Sequence, residues 1–324
     1  MKKAVPGMVL MVRSSDSVGI PKSKRRGFLR RDREGVASTV GTIMALLVFL
    51  AFFGLFTNTY IPIWMLDNER GHMDEVMNEF GEFKARIDSL IVNHQTTGLS
   101  SISMYTPITL GAQGVPIFAS PTMGQLNYEP SGTTNSSGVS IAFSYDSGGG
   151  VINVNNSGGG KLELYAPNRY YVQQWVTYES GALMVRQVDG QSIRALPSID
   201  VNKMSSGKVN LTFTQMDFIG LNTSCSGTGS VGVTVQLEYL DYQYYSSDQI
   251  QGSVRMTFNT LYNSSWLSFL DDMCRSAGLV EGASGNYTLT DTEVTDEIHR
   301  ITFTILDCGS LVYNRAYIST TLKY

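Results

Sequence analysis

The chain has 324 residues, enough for two average domains or one large β domain. Only 16% of them are charged, and there are three cysteines and three histidines. These counts exclude a scaffold held by several disulfides, a zinc site with four cysteine ligands and a histidine-rich metal centre. The sequence therefore predicts no metal and no cofactor.

Charge is distributed unevenly along the chain. Up to Glu34 there are ten basic and three acidic residues, a net charge of +7, and from Gly35 onward there are 14 basic and 25 acidic residues, a net charge of −11. A nucleic-acid-binding protein concentrates positive charge on its folded domain, so no nucleic-acid partner is expected. A basic N-terminal segment before an acidic body is typical of a chain whose ends lie on opposite sides of a membrane.

A long uncharged segment extends from Val36 to Leu66, and its centre, Ile43 to Phe56, has no polar side chain. About 20 helical residues cross the hydrocarbon of a bilayer, so this segment favours a transmembrane helix over a buried helix of a globular domain. Basic residues precede it, and Tyr60 and Trp64 lie near its other end, where aromatic rings favour the headgroup region. The positive-inside rule then predicts a single-pass protein of the cell membrane, with a basic cytoplasmic leader at 1–35, a transmembrane helix at 36–66 and the remainder outside.

A cleaved secretory signal is the alternative explanation for this segment. Signal peptides have an apolar core of 7–15 residues and a small-residue cleavage site. Here the apolar run is longer, and the following NTYIPIWMLDNERG has no such site. We therefore expect the helix to remain as an anchor in the lipid bilayer.

Three small residues, Ala37, Gly41 and Ala45, recur every four positions in the predicted transmembrane helix. This spacing places them on one face, where small side chains let two helices approach closely. Small residues are also frequent in membrane helices by chance, so the stripe is either a helix-packing face or a coincidence.

Residues 67–98 are predicted to form an amphipathic stalk helix that ends at Gly98. Its apolar residues alternate spacings of three and four, the heptad rhythm. We call this set the stalk stripe: Met73, Val76, Phe80, Phe83, Ile87 and Leu90. The stripe either pairs with another subunit or packs on the β domain of its own chain. Its length of under three heptads favours its own domain.

The remainder, 99–324, is predicted to be an extracytoplasmic, β-rich domain. Apolar and polar residues alternate between turns rich in Gly, Ser and Asn, which favours a large antiparallel β-sandwich-like fold. Ser180-Gly181 predicts a tight hairpin. One short helix is expected from Ser264 or Ser265 to Gly278, with Trp266, Phe269, Leu270 and Met273 on one face. The predicted strands include 139–145, 150–155, 161–166, 208–216, 231–240, 253–261 and 299–306.

No catalytic motif is evident, so the chain is not expected to be an enzyme. The SGGG segments at 147–150 and 157–160 lack the spacing of a phosphate-binding loop and are interpreted as turns between strands. There is no G-x-S-x-G motif, no H-E-x-x-H motif and no EF-hand loop.

Two further features support a location outside the cell. Candidate N-glycosylation sites all follow the apolar segment: Asn135, Asn155, Asn210, Asn222, Asn263 and Asn286. The cysteines, Cys225, Cys274 and Cys308, also follow it. They form either one disulfide, for which Cys274 and Cys308 are the candidates, or three free thiols.

The stretch RRDREGVASTVGTIMALLVFLAFFGLF, with Val36, Val40 and Gly41 opening the apolar helix, resembles the N-termini of archaeal type IV pilins, archaeal flagellins and related pilin-like surface proteins. The resemblance implies that a prepilin-type peptidase cuts between Gly35 and Val36. It also implies partners among copies of this chain or other pilin-like subunits, with a structural or adhesive role at the cell surface. Filament assembly and a monomeric membrane protein both remain open. The alternative function is a membrane-tethered extracellular receptor or hydrolase.

Overall fold

The structure, a computed structural model, describes residues 28–98, 102–133, 137–295 and 297–323, with side chains from Gly35 onward. Contacts divide the chain into two compact units, Met1–Phe56 and Thr57–Tyr324. The predicted leader at 1–35 lies mostly outside the described residues.

In the first unit, the described residues before Phe56 form the helix α1 (Phe28–Leu55). Its helical backbone passes through Gly35 and Val36 without interruption. The predicted boundary between residues 35 and 36 is therefore not marked by a change of secondary structure.

A π-helical turn, Phe56–Tyr60, precedes the second helix, α2 (Ile61–Thr97). Pro62, which has no N–H to donate, lies in the first turn of α2, directly after the π-helical turn. Gly98 has a φ of 72° and its N–H donates to the carbonyl oxygen of His94, so the predicted end of the helix at Gly98 is confirmed. The predicted junction at residues 66 and 67 lies inside α2.

Strands and one short helix make up most of the chain after Gly98, so the prediction of a mainly β domain is confirmed. In chain order the elements are β1 (Ser103–Thr109), β2 (Gly124–Pro130), β3 (Ser137–Asp146), β4 (Val151–Ala166), β5 (Gln174–Glu179), β6 (Ala182–Gln187), β7 (Gly190–Ala195), β8 (Ile199–Lys203), β9 (Val209–Ile219), β10 (Thr223–Gly227), β11 (Ser230–Tyr245), β12 (Val254–Thr260), α3 (Asn263–Ser276), β13 (Tyr287–Glu293), β14 (His299–Ile305) and β15 (Cys308–Lys323).

The smaller of the two sheets has the strand order β1-β11-β15-β9-β8. Its neighbours are antiparallel except for β9 and β15, which run parallel, with Leu211 opposite Leu311. The predicted antiparallel arrangement is wrong at this pair. Alternation of apolar and polar residues does not encode strand direction, and the long chain between β9 and β15 supplies the crossover that parallel strands need.

The larger sheet has the order β13-β14-β12-β3-β4-β5-β6-β7, with β2 and β10 attached beside β4. Strand β4 joins its two halves, because Val151–Gly159 pairs with β3 whereas Lys161–Ala166 pairs with β2 and β5. The second SGGG segment, 157–160, therefore lies within a strand, and its interpretation as a turn is wrong. The first, 147–150, does form the turn between β3 and β4.

Two apolar cores lie on opposite faces of the smaller sheet. In β9, Leu211 and Phe213 belong to one core, whereas Met216 and Phe218 belong to the other. Since side chains alternate along a strand, these pairs point to opposite faces. We call the core that contains Met216 and Phe218 the first core, and helix α2 contributes to it. The core that contains Leu211 and Phe213 is the second core, and α3 contributes to it.

The short helix and the hairpin both form near their predicted positions. The N-terminal cap of α3 is Tyr262, without a side-chain capping bond, so Ser264 and Ser265 lie inside the first turn and do not cap it. The predicted hairpin at Ser180-Gly181 is confirmed. Both residues have positive φ, 50° and 85°, as a two-residue turn between twisted strands requires.

Candidate functional site

From Ile43 to Leu55 the surface of α1 is apolar on every side. Its large apolar side chains from Val36 to Leu55 are 42–70% exposed. Among the described residues one helix, within Gly35–Thr97, is long and apolar enough to cross a membrane by its length and composition. Such a surface is unfavourable in water, since exposing it removes the free energy gained when apolar groups are buried.

The small-residue stripe and the candidate cleavage site lie on this surface. Gly35, Val36, Ala37, Gly41 and Ala45 are all exposed in α1. A methyl group added at Gly41 would contact no other atom within 4 Å. The helix-packing role and the peptidase site therefore stay predictions.

The stalk stripe packs on the β domain of its own chain, as its length favoured. Its six residues are 0–3% exposed and belong to the first core. Phe83 meets the ring of Tyr178 on β5 edge to face, with centroids 5.4 Å apart. The stripe is consequently not available for pairing with a second subunit.

Glu69 on α2 is a buried charged residue that sequence analysis missed. Its carboxylate is fully buried and accepts hydrogen bonds from the Thr122 hydroxyl at 2.7 Å and from the backbone N–H groups of Arg169, Tyr170 and Tyr171 at 3.0, 2.7 and 2.7 Å. Four donors on two separate loops thus converge on one helical side chain. The sequence feature that could have identified it is its position one turn before Met73, which places a carboxylate on the apolar face of an amphipathic helix.

A second buried carboxylate cluster lies under the start of α3. Lys161 Nζ is 3.3 Å from Glu163 Oε1, and the hydroxyl of Tyr262 donates to Glu163 Oε2 at 2.6 Å. The indole of Trp266 donates to Glu179 Oε1 at 3.2 Å. The three charged residues are at most 7% exposed, so this cluster joins α3 to the larger sheet and is closed to a substrate.

The pKa values of the two glutamates of this cluster are shifted in opposite directions. Burial by itself would raise the pKa of Glu163, but the charge of Lys161 and hydrogen bonds from Tyr262 and Thr177 outweigh it and lower the pKa. Burial raises the pKa of Glu179 to about 7, although hydrogen bonds from Thr260 and Trp266 and the more distant charge of Lys161 act in the opposite direction.

An open cleft of about 720 Å³ lies between α3 and strands β7 and β8. The carboxylates of Asp200 and Asp272 belong to its lining. So does Ser265, whose buried hydroxyl has no hydrogen-bond partner within the described part of the chain. The predicted apolar face of α3 is divided between the core and the cleft. Trp266 and Leu270 are buried in the core, whereas Phe269 and Met273 line the cleft together with Ile193 and Ile199.

The candidate glycosylation sites differ in accessibility. Asn155 and Asn222 are exposed, and Asn135 lies outside the described residues. Asn210, Asn263 and Asn286 are half-buried. The side-chain amide of Asn286 donates to the carbonyl oxygen of Gly207 at 3.2 Å, so a glycan on this nitrogen would leave a single N–H for that bond. Modification of any of these residues stays a prediction.

The three cysteines are free and buried. The pairing of Cys274 with Cys308 is not formed, which corresponds to the alternative of three thiols. Burial raises the pKa of both Cys274 and Cys308 to about 12, so these thiols are neutral and unreactive at ordinary pH.

Among the residues that the structure describes, no three His, Cys, Asp or Glu side chains are grouped so that they could hold a metal ion. No protein family, no curated protein and no solved structure matches this chain.

Proposed function

We propose that this protein is a membrane-anchored, pilin-like cell-surface protein with a structural or adhesive role. The observation that supports it is the contrast between two apolar surfaces. The stalk stripe is covered by its own domain, whereas the large apolar side chains of α1 from Val36 to Leu55 are exposed and need lipid or other helices around them.

The proposed orientation is N-terminus inside, with the β domain outside the cell. It is supported by the net charge of +7 up to Glu34, carried by ten basic and three acidic residues. Protease added to intact cells should then remove the β domain but leave the N-terminal segment. Degradation of the N-terminal segment in intact cells would contradict this orientation.

Whether α1 packs against lipid or against copies of itself depends on the leader. In the pilin version a prepilin-type peptidase cuts between Gly35 and Val36, and the Ala37, Gly41 and Ala45 face lines contacts between helices. Mass spectrometry of the protein isolated from its own cells is the test. A mature chain beginning at Val36 supports the pilin version, and an intact leader refutes it.

The cleft beside α3 supports a second candidate, an extracellular ligand-binding receptor. Asp272, the apolar lining and the unpartnered Ser265 hydroxyl suit a ligand with an apolar body and a cationic or donor group. Benzylammonium is a suitable probe for saturation-transfer NMR. Binding that is lost in Met273→Trp, which fills the cleft, would support this candidate, and equal signals from both proteins would refute it.

A further inference from the structure

The loop between β1 and β2 exposes an apolar tip. Ile117 is 101% exposed and has a φ of 72°. A β-branched side chain at positive φ is strained, and packing within the chain does not compensate for that strain because the side chain is fully exposed. Phe118 beside it is partly exposed, and no Asp, Glu, Lys or Arg occurs from Ser89 to Tyr128.

Hydrogen bonds fix this loop to α2 just after the uncharged segment ends. The side-chain amide of Asn68 donates to the carbonyl oxygen of Gln113 at 3.1 Å, on one side of the loop. On the other side, the Thr122 hydroxyl donates to Glu69 at 2.7 Å. The base of the loop is thus held two and three residues beyond Leu66, the last residue of the uncharged segment.

The second unit also covers part of the uncharged segment itself. Ile61 and Met65 are buried, although both precede Asp67, the first charged residue after the span. Ile61 is eight positions before Glu69, about 12 Å along the helix axis at 1.5 Å per residue. Ile63 and Trp64, on the same turns of α2, are exposed. Around Ile61 and Met65, protein therefore covers one side of α2, and lipid is expected on the other side.

We propose that the segment Gln113–Thr122, which we call the Ile117 loop, inserts its tip into the outer leaflet of the bilayer that holds α1. The partner is a lipid surface, because the loop is uncharged, its tip is apolar, and its base is fixed beside the uncharged end of the anchor. The inference rests on the proposed membrane anchor. Its consequence is a second contact with the membrane, which holds the β domain in one orientation.

Site-directed spin labelling of the full chain in phosphatidylcholine vesicles tests this. A nitroxide is attached at Ile117→Cys, and its collision rates with oxygen, which is enriched in lipid, and with a neutral nickel chelate, which stays in water, are compared. The native cysteines are buried and do not take the label. Phe118→Cys is a second loop position, useful if the first variant lowers the thermal stability of the protein.

Two controls are apolar residues exposed elsewhere on the β domain, Val188→Cys and Leu221→Cys, at 75% and 84% exposure in the native chain. A third, Val48→Cys, reports on the anchor helix. We expect the ratio of oxygen to nickel collisions to be several-fold higher at Ile117 and at Val48 than at Val188 and Leu221.

The outcomes separate the two proposals. A lipid-like ratio at Val48 with a water-like ratio at Ile117 overturns the loop insertion and leaves the anchor standing. A water-like ratio at Val48 overturns the anchor, and the loop proposal with it. A label at Ile117 that neither reagent reaches is covered by protein, which overturns lipid insertion in favour of contact with a neighbouring copy.

Discussion

The backbone N–H of Tyr170 donates to Glu69 Oε2 at 2.7 Å across 101 positions of sequence. This bond is one of four that a single buried carboxylate accepts, and it joins the loop before β5 to the helix that emerges from the uncharged segment. The β domain is therefore fixed to α2 by polar contacts at one end and by the stalk stripe along its length.

Glu69→Gln should weaken this attachment. The amide keeps one acceptor oxygen but directs an NH₂ group at backbone N–H donors, so buried donors lose their partner. We expect a loss of about 3 kcal/mol in the free energy of unfolding. Urea unfolding of the full chain in detergent measures it. Glu75→Gln, at an exposed position on the same helix, is the control, and equal midpoints for the two variants would contradict the role of Glu69.

Phe83→Ala tests whether the stalk stripe stabilises the chain's own domain. Removing this fully buried ring leaves a cavity against Tyr178, at an expected cost of about 3–5 kcal/mol. Val92→Ala removes an exposed apolar side chain from the same helix and should change stability by less than about 0.5 kcal/mol. A Phe83 variant as stable as the native protein would mean that the stripe serves another partner.

The raised pKa of Glu179 predicts a pH dependence of stability. The ordinary pKa of this carboxyl, which applies to the unfolded chain, is 4.5, and its pKa in the folded protein is about 7. Between these values the folded state holds a proton that the unfolded chain has lost. The free energy of unfolding therefore falls as pH rises through this window and levels off above it, a contribution of about 3 kcal/mol.

Glu179→Gln cannot ionise and should remove this contribution. Relative to the native protein, the free energy of unfolding of the variant should increase by about 3 kcal/mol from pH 4.5 to pH 8. Urea unfolding at each pH measures this difference. Glu293→Gln, at an exposed position of β13, is the matched control and should give a flat difference. A flat difference for Glu179→Gln would show that this carboxyl is already ionised in the folded protein.

Gly158→Ala should be strongly destabilising, whereas Gly149→Ala should be tolerated. A Cβ at Gly158 would lie 1.8 Å from Asp217 Oδ1, whereas one at Gly149 meets nothing within 4 Å. Asp217 cannot move aside cheaply, because Gly159 N–H, Gln215 and Arg315 all donate to its buried carboxylate. We expect a loss of at least about 3 kcal/mol at Gly158. Thermal unfolding of both variants measures the contrast, and similar losses would refute it.

The different structures of the two SGGG segments could not be predicted from the sequence. Identical letters form a turn at 147–150 and part of a strand at 157–160. Within the strand, a Cβ at Gly158 would meet Asp217, and one at Gly160 would meet the carbonyl oxygen of Glu129, so only glycine fits at these two positions. Asp217 and Glu129 are far from this segment in sequence, and local pattern contains no information about them.

By itself, the sequence determined the features that depend on local periodicity and composition. The long apolar segment predicted the exposed helix, heptad spacing predicted the buried stalk stripe, and alternation predicted the strands. Each follows from the length and spacing of the apolar residues, and that pattern is encoded residue by residue.

Only the tertiary structure decided which surfaces meet. It set β9 parallel to β15, brought four donors to Glu69, buried Glu179 beside Trp266 and left the three cysteines unpaired. These are contacts between segments far apart in the chain, and their free energy depends on burial that exists only after folding. The local sequence does not show whether solvent or the protein core surrounds a carboxylate, because distant residues form its environment.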